Sequence, residues 1–250
     1  MGIQILYFTA YSLLLTAYCI MDGILNINKP KGMTSHDVVS AVRRIIGEKR
    51  VGHTGTLDPI ATGVLLMCIG KATSIASLLT RCRKTYVADM GLGKKTDTQD
   101  ITGSVVASCS NCSIDKEKID KAFLKFTGDI EQVPPMYSAL KHKGERLYKL
   151  ARKGIVVERK ARRVHIYNIK FITAGDKLIR FEVESSPGTY IRTLCEQIGD
   201  ELGCNGHLVE LQRTGIGDFK LTDAVSLEDL GVLYKDGRLN DVLIPLNKIH

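Results

Sequence analysis

Apolar residues change their spacing several times along this chain, and each change marks an element. Ile24 to Ile27 reads as a short strand, ended by Lys29-Pro30-Lys31-Gly32 because proline fixes its backbone and offers no donor. Val38, Val39, Val42, Ile45 and Ile46 then recur at helical spacing, with Thr34 or Ser35 available as a cap and Gly47 as a stop. Gly63 to Gly70 is a continuous apolar run, the pattern of a strand buried on both faces. Ala72 to Leu79 predicts a helix, and Lys84 to Met90 alternates as a strand does. Gly91 to Gly103 predicts a polar loop carrying Asp97 and Asp100, after which Val105 and Val106 resume a strand.

A helix is expected from Ser113 to about Phe126, with Ile119, Ala122, Phe123 and Phe126 on one face and Gly128 beyond it. Val133-Pro134-Pro135-Met136-Tyr137 must be extended, since neither a helix interior nor a central strand accepts paired prolines. Leu147 to Arg152 predicts a short helix stopped by Gly154. Strands at Arg162 to Ile172 and Leu178 to Ser185 flank the turn Gly175-Asp176-Lys177, and Gly188 to Leu202 reads as a helix closed by Gly203. No repeat or low-complexity segment appears. The pattern is α+β, with mostly meandering strands and helices inserted between them.

The first twenty residues carry no charged side chain, and Ile3 to Ile20 is largely apolar, near the ~20 residues that span a bilayer. A secretory signal would begin with a basic region, but the first basic residue is Lys29. Met21, followed by Asp22-Gly23-Ile24, reads as the natural start of a folded domain. The expectation is that residues 1–20 are an over-extended reading frame, a membrane anchor being the alternative.

Charge narrows the partners. Thirty-five Lys and Arg against 27 Asp and Glu give +8, and a sequence pI near 9.1 suits a polyanion such as nucleic acid. Basic residues cluster at Arg43-Arg44, Lys49-Arg50, Arg81 with Arg83-Lys84, Lys141 with Lys143, and Arg159-Lys160 with Arg162-Arg163, which favours a phosphate-binding surface. Seven scattered cysteines, an odd number, argue for reduced thiols and a cytoplasmic protein. Cys109 and Cys112 form a C-x-x-C, yet a structural zinc needs a second pair, and Cys195 with Cys204 has the wrong spacing.

The candidate chemistry sits in Gly52-His53-Thr54-Gly55-Thr56-Leu57-Asp58-Pro59, continuing to Gly63. Three glycines allow unusual backbone or close approach, and Pro59 biases Asp58 away from helix. Taken alone, this stretch is equally an ordinary turn or a presented carboxylate. Gly63 to Lys71 is no phosphate loop: Leu65 stands where the first glycine belongs, and Ala72 where a Ser or Thr should follow the lysine.

Four segments together are more specific: Lys29-Pro30-x-Gly32-x-Thr34-Ser35, the Asp58 loop, Lys84-Thr85-Tyr86-x-Ala88 with Thr96-Asp97-Thr98-x-Asp100, and Gly188-Thr189-Tyr190-Ile191-Arg192-Thr193-Leu194. With Val133-Pro134-Pro135-x-Tyr137-Ser138-Ala139 they closely resemble, in order, the tRNA pseudouridine synthase B family from about Met21 to Phe219. The resemblance implies a pseudouridine synthase fold, with a mixed, mostly antiparallel central sheet flanked by helices. It implies isomerisation of uridine 55 in the T loop of tRNA to pseudouridine, on a base flipped from the stack. Nothing is oxidised, so no cofactor is expected.

By the same resemblance Asp58 is the nucleophile, Arg192 the arginine that pairs with it and holds it ionised, and Tyr86 the tyrosine that stacks on the displaced base. Leu211 would pack against that base, His53 would enter the T loop, Lys29 and Pro30 would shape the site floor, and Tyr190 would join Lys29 among the substrate- or RNA-binding residues. The implied partner is the T arm of tRNA, and the implied state a monomer. The domain expectation is a catalytic unit over 21–230, including a thumb-like, RNA-clamping insertion at about 133–154, then a tail over 231–250 too short for an RNA-binding PUA domain. Gln212 before Arg213, and Asn205-Gly206-His207, depart from the family's pattern and put RNA affinity there in question. An RNA-binding protein without turnover is the competing class.

Overall fold

The computed structural model describes residues 21–248 except Asn111, Ser113 and Ile114. The apolar leader and the expected start of a helix at Ser113 lie outside the described residues. Among those described, no helix is long and apolar enough to cross a membrane.

A ten-stranded sheet organises the chain. Its path runs through β14 (Leu243–Pro245), β1 (Gly23–Lys29), β3 (Thr62–Ile69), β12 (Gly206–Ile216), β4 (Lys84–Leu92), β11 (Leu178–Ser185), β10 (Arg162–Gly175) and β7 (Gly128–Gln132). β2 (Val51–His53) adds to β3, and β13 (Phe219–Lys220) adds to β12. Only β3 and β12 run parallel, so the sheet is mixed and mostly antiparallel, as expected from the sequence.

The apolar run of β3 is buried on both faces for the predicted reason. Leu65, Met67 and Ile69 join the large core, while Val64, Leu66 and Cys68 pack into a second core on the other side. Helices α1 (Ser35–Ile46), α3 (Lys116–Lys125) and α5 (Ile191–Glu201) close the large core, where Phe123 meets Phe181 with ring centroids 5.3 Å apart. Thr34 and Asp37 form a reciprocal capping box on α1, and Gly47 closes it at φ 71°.

Several elements differ from expectation. Gly70–Ile75 is a 3₁₀ turn, leaving α2 only Ala76–Thr80, because the Thr73 and Ser74 hydroxyls bond carbonyls three residues back and favour the tighter winding. The loop expected over Gly91 to Gly103 is shorter, with residues 97–103 forming the polar turn that carries Asp97 and Asp100. β4 continues to Leu92, and β5 (Lys94–Thr96) pairs with β6 (Val105–Ser108). Gly91 is not a breaker but a contact point, since a Cβ there would lie 2.7 Å from the His207 ring. α3 starts after Asp115, whose carboxylate caps it. α5 starts at Ile191, not Gly188, because Gln132 from β7 bonds both the N–H and the carbonyl of Tyr190.

The 133–157 segment carries a small core of its own, Met136, Leu147 and Leu150 against Tyr137, Leu140 and Val157. It contains β8 (Lys141–His142), β9 (Glu145–Arg146) and α4 (Leu147–Arg152). Beyond Phe219, α6 (Leu227–Lys235) packs on α1 and β1, and β14 extends the sheet edge beside β1.

Candidate active site

The Asp58 loop connects β2 to β3 and is pinned at several points. The Ser35 hydroxyl accepts from the Leu57 N–H at 2.8 Å and donates to the Leu57 carbonyl at 3.1 Å. Leu57 itself is buried, the Pro59 carbonyl accepts from Gly32, and the Asp58 carbonyl accepts from Ala61. Two of the three glycines are there by necessity. Gly55 has φ 117°, and at Gly63 (φ 101°) a Cβ would sit 2.2 Å from the Arg213 carbonyl oxygen of the neighbouring strand. With the backbone held on both sides, the Asp58 side chain projects into a cleft of about 720 Å³ and keeps 38% of its surface exposed. The stretch is a presented carboxylate.

Arg192, the second residue of α5, is its partner. Arg192 Nε lies 2.9 Å from Asp58 Oδ2, and the arginine side chain is only 5% exposed. Its other donors are committed: Nη1 donates to the Thr98 carbonyl at 2.9 Å, and Nη2 to the Tyr137 carbonyl at 2.8 Å. Asp100 Oδ2 stands 3.5 Å from Nη1. The guanidinium therefore joins the Asp58 loop, the 96–104 hairpin and the 133–157 segment in one fixed plane.

Asp100 is a site residue to which the motif reading assigned no role. Its Oδ1 accepts from the Thr98 hydroxyl (2.8 Å), the Thr102 N–H (2.9 Å) and the Thr102 hydroxyl (2.6 Å), which locks Oδ2 toward Arg192. The signal was the run of short polar side chains at Thr96, Asp97, Thr98 and Asp100. What their hydrogen bonds aim at was invisible before folding.

Electrostatics modify one expectation. Burial pushes the Asp58 carboxyl above the ordinary carboxylate range. Arg192 opposes this, Asp100 adds to it, and Lys29 opposes it. Arg192 does not restore an ordinary acid because burial outweighs it and the Asp100 carboxylate beside the same guanidinium works against it. A carboxylate with raised proton affinity is the stronger nucleophile and base.

The remaining candidates divide. His53 lines the cleft with Asp58 and Arg192, its ring 5.6 Å from that of His36 in an edge-on contact. Burial, then His36 and Arg213, hold His53 below the usual histidine range. Tyr86, Leu211, Lys29 and Tyr190 do not line the cleft. Tyr86 is 7% exposed on β4, directly opposite Arg213 of β12 in the strand register. Leu211 lines a separate pocket of about 220 Å³ that shares Ile60 with the cleft. Lys29 is fully buried, donates to the Pro30 and Met33 carbonyls, and is pushed down to about 8 by burial, with Asp58 opposing. Tyr190 is half-buried at the N-terminus of α5, its phenol pushed up by burial.

Arg213, noticed in the sequence only through its neighbour Gln212, proves central to the architecture. Fully buried, it donates to the Val64 carbonyl (2.7 Å) and the Gly55 carbonyl (3.1 Å), tying β3 and the Asp58 loop to the strand pair that carries Tyr86. Among the described residues there is no cluster of His, Cys, Asp and Glu that could hold a metal ion.

Comparison with known proteins agrees with this geometry. The TruB family pseudouridylate synthase N-terminal domain matches residues 43–191, and the tRNA pseudouridylate synthase B C-terminal domain matches residues 192–249. The chain is 48% identical over 235 residues to tRNA pseudouridine synthase B of Geobacillus thermodenitrificans, covering 91% of this chain and 78% of that protein. It is 50% identical over 210 residues to the Clostridium kluyveri protein of the same name, covering 84% and 72%. Among solved structures it resembles a chain of a Cbf5-Nop10-Gar1 complex (TM-score 0.73, 31% identity, 90% of this chain and 60% of that one). A chain of the archaeal box H/ACA sRNP Nop10-Cbf5 complex is similar too (TM-score 0.68, 28% identity, 92% and 61%). The present chain thus spans about three fifths of those structural neighbours.

A mixed sheet of this order, with an arginine-held aspartate projecting from the loop before β3, places the chain in the pseudouridine synthase class of isomerases. Within that class, it belongs to the TruB family.

Proposed function

We propose that this protein isomerises uridine 55 in the T loop of tRNA to pseudouridine, with Asp58 as nucleophile on a flipped-out nucleotide. The observation that carries the reading is the Asp58–Arg192 pair, in which the arginine is buried and anchored through all three nitrogens while the carboxylate stays open to the cleft. The names of the curated relatives supply the tRNA substrate.

The reaction breaks the bond from ribose C1′ to uracil N1 and forms one from C1′ to C5; C5 loses its proton and N1 takes one up, so the composition is unchanged. Asp58 attacks, Arg192 fixes its orientation, and Asp100 holds Arg192. Tyr86 stacks on the displaced base and Leu211 packs against it. Lys29 and Pro30 shape the floor, Tyr190 contacts the RNA, and His53 fills the space the nucleotide leaves. No cofactor takes part. Extrusion of the base costs a few kcal/mol, which contacts from the cationic cleft wall, Arg146 and Arg152 among them, offset. The 133–157 segment closes on the T arm as a thumb, and the chain acts as a cytoplasmic monomer.

Release of tritium from tRNA labelled at uridine C5 tests this directly. Catalytic release that maps to position 55 is expected; binding without release, even at stoichiometric protein, overturns the enzymatic reading in favour of an RNA-binding role.

A further inference from the structure

Ser138 lines the Asp58 cleft, yet the residue is 95% buried, with 5% of its surface exposed. Its hydroxyl has no hydrogen-bond partner among the described residues. A buried hydroxyl left unpaired is costly, and a native structure that keeps one has a reason to.

The backbone around it is not loose. The Ser138 N–H donates to the Met136 carbonyl at 2.9 Å, and its carbonyl accepts from Tyr148 at 3.1 Å. The preceding carbonyl, of Tyr137, is the one that receives Arg192 Nη2. Ser138 therefore sits one residue from the clamp on Arg192, with the Tyr190 phenol near its hydroxyl but not in hydrogen-bonding geometry.

We infer that Ser138 is a substrate-binding residue, whose hydroxyl donates to a carbonyl of the uracil in the Asp58 site. The inference rests on the pseudouridine synthase reading and extends it to recognition of the base.

The chemistry of the reaction makes a hydroxyl apt here. Moving the glycosidic bond from N1 to C5 turns the ring about its N3–C6 axis, which exchanges O2 and O4. A donor placed at one carbonyl position thus meets a carbonyl both before and after the turn. A hydroxyl that rotates to suit its acceptor can serve both.

The experiment compares wild type with Ser138→Ala and Ser138→Thr on C5-tritiated tRNA. A second substrate carries 4-thiouridine, a poor acceptor, at the target position. Ser138→Ala should lower kcat/KM about ten-fold, the equivalent of ~1.4 kcal/mol. It should melt at or above the wild-type temperature, since it removes an unpaired buried group. Ser138→Thr, which keeps the hydroxyl, should retain more activity. The thio substitution should penalise wild type and add little in Ser138→Ala. Activity of Ser138→Ala within two-fold of wild type, an undiminished thio penalty in that variant, or a loss that follows a lowered melting temperature would each overturn the assignment. Wild-type protein that releases no tritium would instead defeat the underlying reading.

Discussion

Two aspartate–arginine pairs in this protein share their residue types and have opposite exposure. In the cleft, Arg192 is 5% exposed and Asp58 38%; on the sheet face around β4 and β11, Arg180 is 46% exposed and Asp89 9%. Arg180 straps both oxygens of Asp89, Nε to Oδ1 at 2.6 Å and Nη2 to Oδ2 at 2.7 Å, so no oxygen is spare. Arg192 touches Asp58 through Nε at one oxygen and spends its remaining donors on carbonyls from two other segments. Which partner is buried decides what the pair is for. A buried, fully bonded arginine presents a carboxylate, whereas a surface arginine covers one.

The largest break in this comparison is Asp58→Asn, expected to lower turnover about 10⁴-fold or more while leaving tRNA binding within a few-fold. The same change on the sheet face, Asp89→Asn, should leave turnover within about two-fold. Stability runs the other way. The fold raises the proton affinity of Asp58, so its contribution to stability is fully present below the unfolded carboxylate pKa and is lost as pH rises through the folded one. Asp58→Asn should therefore melt at or above the wild-type temperature at pH 7, which calorimetry would check.

Arg192→Lys comes next, with an expected loss of about 10²–10³-fold in kcat, because one point charge cannot hold three segments at once. Retention of near-normal kcat would reduce Arg192 to a phosphate contact. Asp100→Asn should cost less than Arg192→Lys, since Arg192 keeps its two carbonyls.

The pH profile sharpens the contrast. With Asp58 above the ordinary carboxylate range, kcat/KM should fall with acid at a pH above ~4, and Asp100→Asn should move that limb downward by removing a neighbouring negative charge. A limb that does not move would separate Asp100 from the electrostatics of Asp58. The smallest effect is Arg180→Ala, a mostly exposed pair member, expected to cost ~0.2–1 kcal/mol by denaturant melting with no change in turnover.

Local signals carried well wherever neighbours reinforced them. α1 follows its apolar spacing and its Thr34 cap, and the β11 bounds match the alternation of Leu178 to Ser185. β12, central to the sheet, left no readable pattern. Gly206, Glu210, Gln212 and Gly215 interrupt its apolar positions, and irregularities at 208/210 and 213/215 break its alternation. Its stability comes from pairing with β4 and β3, a long-range cause that no local window contains.

The sequence by itself determined the positions of α1, α3, α4 and α5 and of β1, β3, β4, β6, β10 and β11, the special backbone of the Asp58 loop and, through family motifs, the identity of its partner Arg192. Those depend on short-range sterics, capping and periodicity, which the order of residues encodes directly. Only the tertiary structure decided that Asp100 shares Arg192, that Arg213 fastens the loop, that Tyr86 is buried on β4 and Leu211 lines a separate pocket, and that Ser138 keeps an unpaired hydroxyl. Each depends on which atoms burial brings within about 3 Å of one another, and those distances are set by segments far apart in the chain.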